Sequence, residues 1–164
     1  VRNGIMETAA TLDSHWLGIN LATQLDQRLK NPTRVANDAD VQGYGCVSGE
    51  GVEMVLTLGT GMGSALFLDG HLVPNLELAH HLFKKNKTYE DYVGRPALED
   101  VGKEKWIQRV EKVVSTTKHI WNWDFLHLGG GNSKLLKEVQ FSNDVILHSN
   151  KAGVLGGYFL WESN

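Results

Sequence analysis

An α/β fold with a mixed central sheet and helices on both faces is the fold class that the sequence predicts. Three observations support it: the apolar period changes from helical to strand-like near residue 50, three strands then follow consecutively, and helices and strands alternate from about residue 103. Mixed order of this kind is typical of a sheet covered by helices. The chain has 164 residues, 41% of them hydrophobic, and a chain of this length buries roughly 70% of its unfolded surface.

The first 50 residues predict two helices and a short strand. Leucines recur every four residues within 18–30, with charged residues between them, which indicates an amphipathic helix. Residues 33–36 are a candidate strand, and 38–47 a second helix. Gly43 and Gly45 each weaken that second helix by up to about 1 kcal/mol.

Three antiparallel strands are predicted next. Residues 52–58 and 64–68 are apolar runs rich in β-forming residues, separated by a glycine-rich loop. Asp69-Gly70 before residues 71–73 indicates a tight hairpin turn.

The last third of the chain alternates between helices and strands. Apolar residues at helical spacing predict a helix over 103–121, and strands are predicted at 125–128 and 143–148. A short helix near 133–139 and a final apolar helix over 152–161 complete the order βββαβαβα.

Charge and cysteine content exclude several classes of function. The formal charge of −3 provides no broad positive surface for nucleic acid or an anionic membrane. Cys46 is the single cysteine, which excludes an internal disulfide and a multi-thiolate zinc site and suits a reducing cytosol. No signal peptide pattern or long apolar span is present. We therefore expect a cytoplasmic protein without nucleic-acid or membrane partners.

A glycine-rich loop joins the first two predicted strands. It contains Gly59, Thr60, Gly61 and Gly63. Because it links two strands, it is neither a P-loop nor a dinucleotide fingerprint, which both need a helix N-terminus. Exposed amides of such a loop can cradle phosphate oxygens, and the hydroxyl of Thr60 favours this interpretation. The alternative is a tight turn that requires positive φ.

Asn37-Asp38-Ala39-Asp40 follows the candidate strand and begins a predicted helix. Either acid can be a helix cap or a favourable first-turn charge. Alternatively, one carboxylate accepts the proton of a substrate hydroxyl beside a phosphate cradle, as phosphoryl transfer requires.

Two further motifs carry polar or flexible groups. Glu77 and His80 lie three residues apart and share a face if the segment is helical, where they can bind sugar hydroxyls. His80-His81 lacks the spacing of a zinc motif, so we expect no zinc. Gly129-Gly130-Gly131 follows a buried strand, and a close backbone approach to a nucleotide base would account for these glycines.

Taken in order, these motifs resemble the ROK family of sugar kinases, and within it most nearly the polyphosphate-type glucokinases. The resemblance is carried by Asn37-Asp38-Ala39-Asp40, the loop within 56–65, Glu77-Leu78-Ala79-His80, Glu90-Asp91-Tyr92 and Leu128-Gly129-Gly130-Gly131. It implies an actin-like, RNase H-like ATPase lobe. The implied activity is transfer of a phosphoryl group from ATP or polyphosphate, with Mg²⁺, to the 6-hydroxyl of glucose or a related hexose. A homodimer is a further expectation of the family.

The resemblance also implies roles for individual residues. Asp38 corresponds to the catalytic base, and the sugar contacts correspond to Asn37, Glu77, His80 and Glu90. The phosphate loop corresponds to Gly59, Thr60, Gly61 and Gly63, and a nucleotide contact to Gly130 and Gly131.

Three departures from the family pattern qualify the resemblance. Ala79 replaces a glycine of the family's Glu-x-Gly-His motif, and the cysteine-rich zinc motif of many members is missing. The Asp-x-Gly-Gly-Thr phosphate loop of the N-terminal lobe is not found in the 164 residues. We therefore expect residues 1–50 to be a remnant of the N-terminal lobe and residues 51–164 to be the C-terminal lobe, and the chain alone to lack activity.

The alternative function is a non-catalytic sugar-binding module, such as the effector domain of a ROK-type repressor or a degenerate kinase. Asp38 favours the kinase, because sugar binding alone does not need a base.

Overall fold

The computed structural model describes residues 1–8, 13–74, 76–149 and 151–162. Its centre is a five-stranded mixed sheet, which confirms the predicted sheet. The strands of this sheet and of a separate two-stranded hairpin are β1 Val52–Leu58, β2 Met62–Leu68, β3 His71–Val73, β4 Leu82–Lys84, β5 Lys87–Thr88, β6 Phe125–Gly129 and β7 Val145–Leu147.

The sheet order is β3-β2-β1-β6-β7. Strand β2 is antiparallel to both of its neighbours, β1 and β3, with Val55 opposite Ala65. Strands β1, β6 and β7 run parallel, so the carboxyl ends of β1 and β6 open on the same edge of the sheet. This edge is where α/β sheets commonly bind ligands.

Six α-helices lie among the described residues, and they cover both faces of the sheet as predicted. They are α1 Leu21–Leu29, α2 Asp38–Tyr44, α3 Tyr89–Val93, α4 Arg95–Val101, α5 Lys103–Trp121 and α6 Lys151–Phe159. Within the described ranges, no helix combines the length and the hydropathy that a membrane crossing demands.

The main core lies between the sheet and α5. Alternate residues of β1, among them Met54 and Leu56, pack in one cluster with Trp106 and Val110 of α5. The indole of Trp106 is fully buried, and its Nε1 donates a hydrogen bond to the carbonyl of Val93 at 2.7 Å. This contact joins α5 to α3.

Helix α2 covers the opposite face, and α6 packs against the outer side of α2, where Gly45 and Gly156 allow the two backbones to approach. Val55 of β1 and Phe67 of β2 pack against Tyr44, whose ring meets that of Phe67 edge-on at 5.2 Å between centroids. A β-carbon at Gly43 would collide with the ring of Phe67. The glycine that weakens α2 therefore lets the helix approach the sheet.

A buried carboxylate on this face is held by several donors. Glu53 accepts hydrogen bonds from the backbone of Ser48 at 2.8 Å and of Gly49 at 2.7 Å, and its Oε2 lies 2.7 Å from Nε2 of His127. Nδ1 of His127 lies 2.8 Å from Nε2 of His148. Burial raises the pKa of Glu53, but these donors outweigh it, so the pKa lies below its usual value.

Two stretches differ from the sequence predictions. The predicted strand at 33–36 is wrong, because no described strand lies beside this extended segment to pair with its backbone. No element was predicted between 81 and 102, where β4, β5, α3 and α4 form. These elements are short, and elements of that length depend on packing for their stability.

Candidate functional site

A cleft of about 1320 Å³ opens at the carboxyl ends of β1 and β6. Every residue that the sequence analysis predicts for the site lines it. These residues are Asn37, Asp38, Gly59, Thr60, Gly61, Gly63, Glu77, His80, Glu90, Gly130 and Gly131. Their convergence is a property of the structure, whereas their individual roles stay predictions.

Asp38 is the first residue of α2 and projects an exposed carboxylate into the cleft. Its Oδ1 accepts a hydrogen bond from the backbone N–H of Ala39 at 2.8 Å. Asn37, the residue before it, makes no side-chain cap, and its Oδ1 accepts from the amino group of Val1 at 2.8 Å. Asp38 therefore presents its second carboxylate oxygen to a ligand.

Of the two acids in the motif, Asp40 has the structural role at the start of the helix that the sequence analysis gave as one alternative for either acid. Only 5% of its surface is exposed, and its carboxyl group accepts from the backbone N–H of Asn37, as an acid in the first turn of a helix can. Burial raises the pKa of Asp40 to about 6, and the negative charges of Glu77 and Asp38 act in the same direction. The two acids of one motif thus differ: Asp40 is buried, whereas Asp38 is exposed and lines the cleft.

The glycine loop between β1 and β2 does not require positive φ. Neither Gly59, Gly61 nor Gly63 has a positive φ, so the alternative that a tight turn demands them is wrong. A β-carbon at Gly61 would collide with the carboxylate of Glu90, and one at Gly63 would lie 2.9 Å from the β-carbon of Ala39. Gly63 is therefore needed for close packing, whereas Gly61 leaves room for the end of the flexible Glu90 side chain.

Gly59 has no such neighbour. A β-carbon there would meet nothing within 4 Å, although the residue lines the cleft. The carbonyl of Thr60 accepts from the backbone of Arg95 at 3.0 Å, which fixes the loop tip against α4. The space over Gly59 is consistent with the approach of a ligand to the loop backbone.

The second glycine loop also contains one glycine that packing requires and one with open space beside it. Gly130 has φ +83°, and a β-carbon there would lie 2.5 Å from the backbone nitrogen of Leu58, so this glycine is structural. Gly131 has neither a positive φ nor a neighbour within 4 Å, and it lines the cleft. Asn132 joins the two loops, since its Nδ2 donates to the carbonyl of Gly59 at 3.0 Å.

Two of the predicted sugar contacts, Glu77 and His80, lie on a short segment of the chain that follows β3. Glu77 precedes a single 3-10 turn, Leu78–His80, and its Oε2 lies 3.9 Å from Nε2 of His80. Both side chains are partly exposed, and Thr8 donates to Oε1 of Glu77 at 3.1 Å. Ala79, where the family pattern has glycine, is buried in the main core, so the core accommodates its methyl group.

Glu90 connects α3 to the glycine loop. A capping box formed by Thr88 and Asp91 starts the helix, and Oε2 of Glu90 accepts from the backbone N–H of Met62 at 3.2 Å. The Glu90 carboxylate therefore supports the loop tip in addition to facing the cleft.

Sequence reasoning missed several polar residues of the lining, among them Gln42 and Lys87. Gln42 follows Asp38 by one helical turn, a spacing that was available in the sequence. Lys87 belongs to the run Lys84-Lys85-Asn86-Lys87, whose concentration of positive charge was the available indication. Among the described residues, no three His, Cys, Asp or Glu side chains converge to hold a metal ion.

Comparison with curated proteins finds relatives that are named polyphosphate glucokinase. No protein-family model matches the chain. Polyphosphate glucokinase of Mycobacterium tuberculosis is 33% identical over 144 residues, which cover 82% of this chain and 54% of that protein. The chain thus spans about half the length of the curated relatives it matches.

Solved structures agree with this relationship. Inorganic polyphosphate/ATP-glucomannokinase from Arthrobacter sp. strain KM has a TM-score of 0.84 and 28% identity, covering 99% of this chain and 70% of that one. A ROK family glucokinase from Streptomyces griseus, solved with glucose and AMPPNP, has a TM-score of 0.73, 17% identity and coverage of 97% and 77%. The second likeness concerns the fold alone, and together they confirm the predicted actin-like lobe.

Proposed function

We propose that this chain belongs to the ROK-family sugar kinases and transfers a terminal phosphoryl group to the 6-hydroxyl of glucose or a related hexose, as its similarity to polyphosphate glucokinase and to a glucomannokinase structure supports. One observation carries the proposal: the exposed carboxylate of Asp38 and the open backbone of the Gly59 loop face a single cleft. A hydroxyl and a phosphate can therefore meet between a base and a set of amide donors.

In the proposed reaction, Asp38 accepts the proton of the sugar hydroxyl as the hydroxyl oxygen attacks the terminal phosphorus. A new P–O bond forms, the bridging P–O bond breaks, and its electron pair leaves with the shortened donor. Amides of the Gly59 loop would stabilise the negative charge that develops on the phosphoryl oxygens. Asn37, Glu77 and His80 would bind the sugar hydroxyls, with Glu90 as a further contact.

The donor is ATP or polyphosphate, and its phosphates would lie over Gly59, Thr60, Gly61 and Gly63. Gly131 leaves room beside the cleft for a nucleotide, and Gly130 maintains that loop. Mg²⁺ in kinases is held by one or two carboxylates together with phosphates and water. The exposed carboxylate of Asp38 would help to hold a Mg²⁺ ion bound to the donor phosphates, and such an ion would supply positive charge beside them.

The proposal also concerns the division of the chain into two lobes and its assembly into a homodimer. Residues 1–50 would correspond to part of the N-terminal lobe of the relatives and residues 51–164 to their C-terminal lobe. Homodimerisation and a cytoplasmic location stay predictions.

The test is Asp38→Asn, assayed by coupled detection of glucose 6-phosphate with ATP and with polyphosphate, in the chain and in the complete gene product. Asparagine keeps the shape and the acceptor for Ala39 but not the basicity, so turnover should fall by about 10²- to 10⁴-fold while glucose affinity changes little. Asp26→Asn, which removes an exposed charge from α1, is the matched control.

Unchanged turnover in Asp38→Asn would reject the role of the base. Glucose binding without phosphorylation by either donor in the complete gene product would instead support the non-catalytic sugar-binding module.

A further inference from the structure

The hairpin formed by β4 and β5 holds three exposed lysines at the edge of the cleft. Lys84 and Lys87 are paired across the hairpin, and the two residues between them, Lys85 and Asn86, have φ values of 50° and 60°. Two consecutive positive φ values are those of the tight turn that connects antiparallel strands with two residues. The three lysines therefore project from a short, defined turn.

The hairpin has a fixed position relative to the glycine loop. The ring of Phe83 packs against Tyr89 and Tyr92 of α3, with centroid distances of 4.4 Å and 4.9 Å. The next residue of the same helix, Glu90, accepts a hydrogen bond from Met62 at the loop. One short helix thus connects the lysine hairpin to the candidate phosphate loop.

The charged residues of the cleft lining are mostly acidic, so the lysines of the hairpin matter for the binding of an anionic ligand. The charged carboxylate residues of the lining are Asp38, Glu77, Glu90, Asp91 and Asp100, and among the described lining residues Lys87 is the one lysine or arginine. No carboxylate of the described residues lies within ion-pair distance of Lys84, Lys85 or Lys87. A polyanionic donor that enters this acidic cleft would meet the positive charge of Lys87 in the lining, and Lys84 and Lys85 extend that charge along the hairpin.

We propose that Lys84, Lys85 and Lys87 form a subsite for the phosphates of an inorganic polyphosphate chain beyond the phosphate that is transferred. This inference rests on the proposed function and specifies its donor. The lysine ammonium is a compact charge that places little directional demand on phosphate, so a row of lysines suits a flexible chain. Lys87 would bind inside the cleft, and Lys84 and Lys85 would extend the contact outward.

The proposed subsite favours long polyphosphate chains over short ones. An inorganic chain continues to present negative charge past the cleft, whereas a nucleoside triphosphate ends in a sugar and a base. We therefore expect the lysines to matter for long-chain polyphosphate and to matter little for inorganic triphosphate, which is too short to reach all three.

The test measures binding by this chain and does not depend on turnover. Isothermal titration with long-chain inorganic polyphosphate and with inorganic triphosphate compares wild type with K84Q/K85Q/K87Q at several salt concentrations. Affinity for the long chain should fall about tenfold, since each exposed contact of this kind contributes modestly. The slope of log affinity against log salt should fall by about 2, as expected for three lost phosphate contacts on a flexible polyanion.

Two further variants serve as controls. K103Q/K105Q/K112Q removes the same charge from exposed positions of α5 that do not line the cleft, and should bind both probes like wild type. K84R/K85R/K87R keeps the charge and should retain affinity within about threefold.

Long-chain affinity that is unchanged in K84Q/K85Q/K87Q, or that falls equally in the α5 variant, would overturn the subsite. So would a wild-type chain that does not bind long-chain polyphosphate. Absence of sugar phosphorylation in the enzyme assay would reject the proposed function and leave the binding result standing.

Discussion

Gly130 is a position where an added methyl group should be costly, because it combines a positive φ with a close approach to the backbone of another strand. Its φ is +83°, and a β-carbon there would lie 2.5 Å from the backbone nitrogen and 2.8 Å from the carbonyl carbon of Leu58. Leu58 ends β1, which is paired on both sides, by β2 and β6, so its backbone has little freedom to move away. We expect Gly130→Ala to be strongly destabilising.

The expected loss in the free energy of unfolding of Gly130→Ala has two contributions. A non-glycine residue in the left-handed conformation costs roughly 1–2 kcal/mol. Forcing the extra carbon against packed backbone costs roughly 1–3 kcal/mol. The free energy of unfolding should therefore fall by about 2–5 kcal/mol, a large share of the roughly 5–15 kcal/mol typical of a domain.

Urea unfolding followed by circular dichroism measures this loss, and two other glycines separate its parts. Gly18 has φ +76° with nothing within 4 Å of a β-carbon, so Gly18→Ala should show the conformational cost alone. Gly131→Ala has neither cost and should stay within about 0.5 kcal/mol of wild type, while weakening donor binding. If Gly130→Ala is no more destabilised than Gly18→Ala, the argument from close approach to Leu58 is refuted.

Three further substitutions test the interior. Glu53→Gln should lower stability at pH 7 by about 3 kcal/mol, because it removes the charge of a buried carboxylate that accepts several hydrogen bonds and lies against His127. Since the pKa of Glu53 is depressed in the fold, this contribution is present above its ordinary value of 4.5 and is lost as pH falls through the folded value, so the difference from wild type should narrow in acid. Burial raises the pKa of Asp40 from 3.8 to about 6, so the contribution of Asp40 to the stability of wild type should fall by roughly 3 kcal/mol as pH rises from about 4 to 6. Unfolding curves of Asp40→Asn should lack this decline, and an identical pH profile would contradict the assignment. Trp106→Phe removes the donor to Val93 and part of a buried ring; we expect a loss of about 2–4 kcal/mol by thermal unfolding, whereas a Tm unchanged from wild type would show that the bond contributes nothing.

The order of the main elements could be predicted because it depends on local patterns. β1, β2 and α5 each carry their apolar period within their own residues, and the structure places them as predicted. The turn at Asp69-Gly70 also follows from local chemistry, since both residues have the positive φ that such turns require. The stretch from β4 to α4 escaped prediction because its elements are short and stable only when packed.

The glycine loops show where sequence reasoning stops. Their composition indicated close backbone approaches, but two explanations fitted each glycine equally well. Packing separates them: Gly63 and Gly130 are required by contacts within the chain, whereas Gly59 and Gly131 have open space towards the cleft. Local composition cannot distinguish these cases, because the neighbour that would meet the added carbon is distant in sequence.

The sequence by itself determined the fold class, the motifs and the chemical types of the candidate site residues. Only the tertiary structure decided that Asp40 is buried while Asp38, two residues away, is exposed to the cleft, and that a lysine hairpin borders the same cleft. The physical reason is that backbone period and residue type act within a few residues, whereas burial, pKa and the charge of a cleft are sums over groups that the chain brings together from far apart.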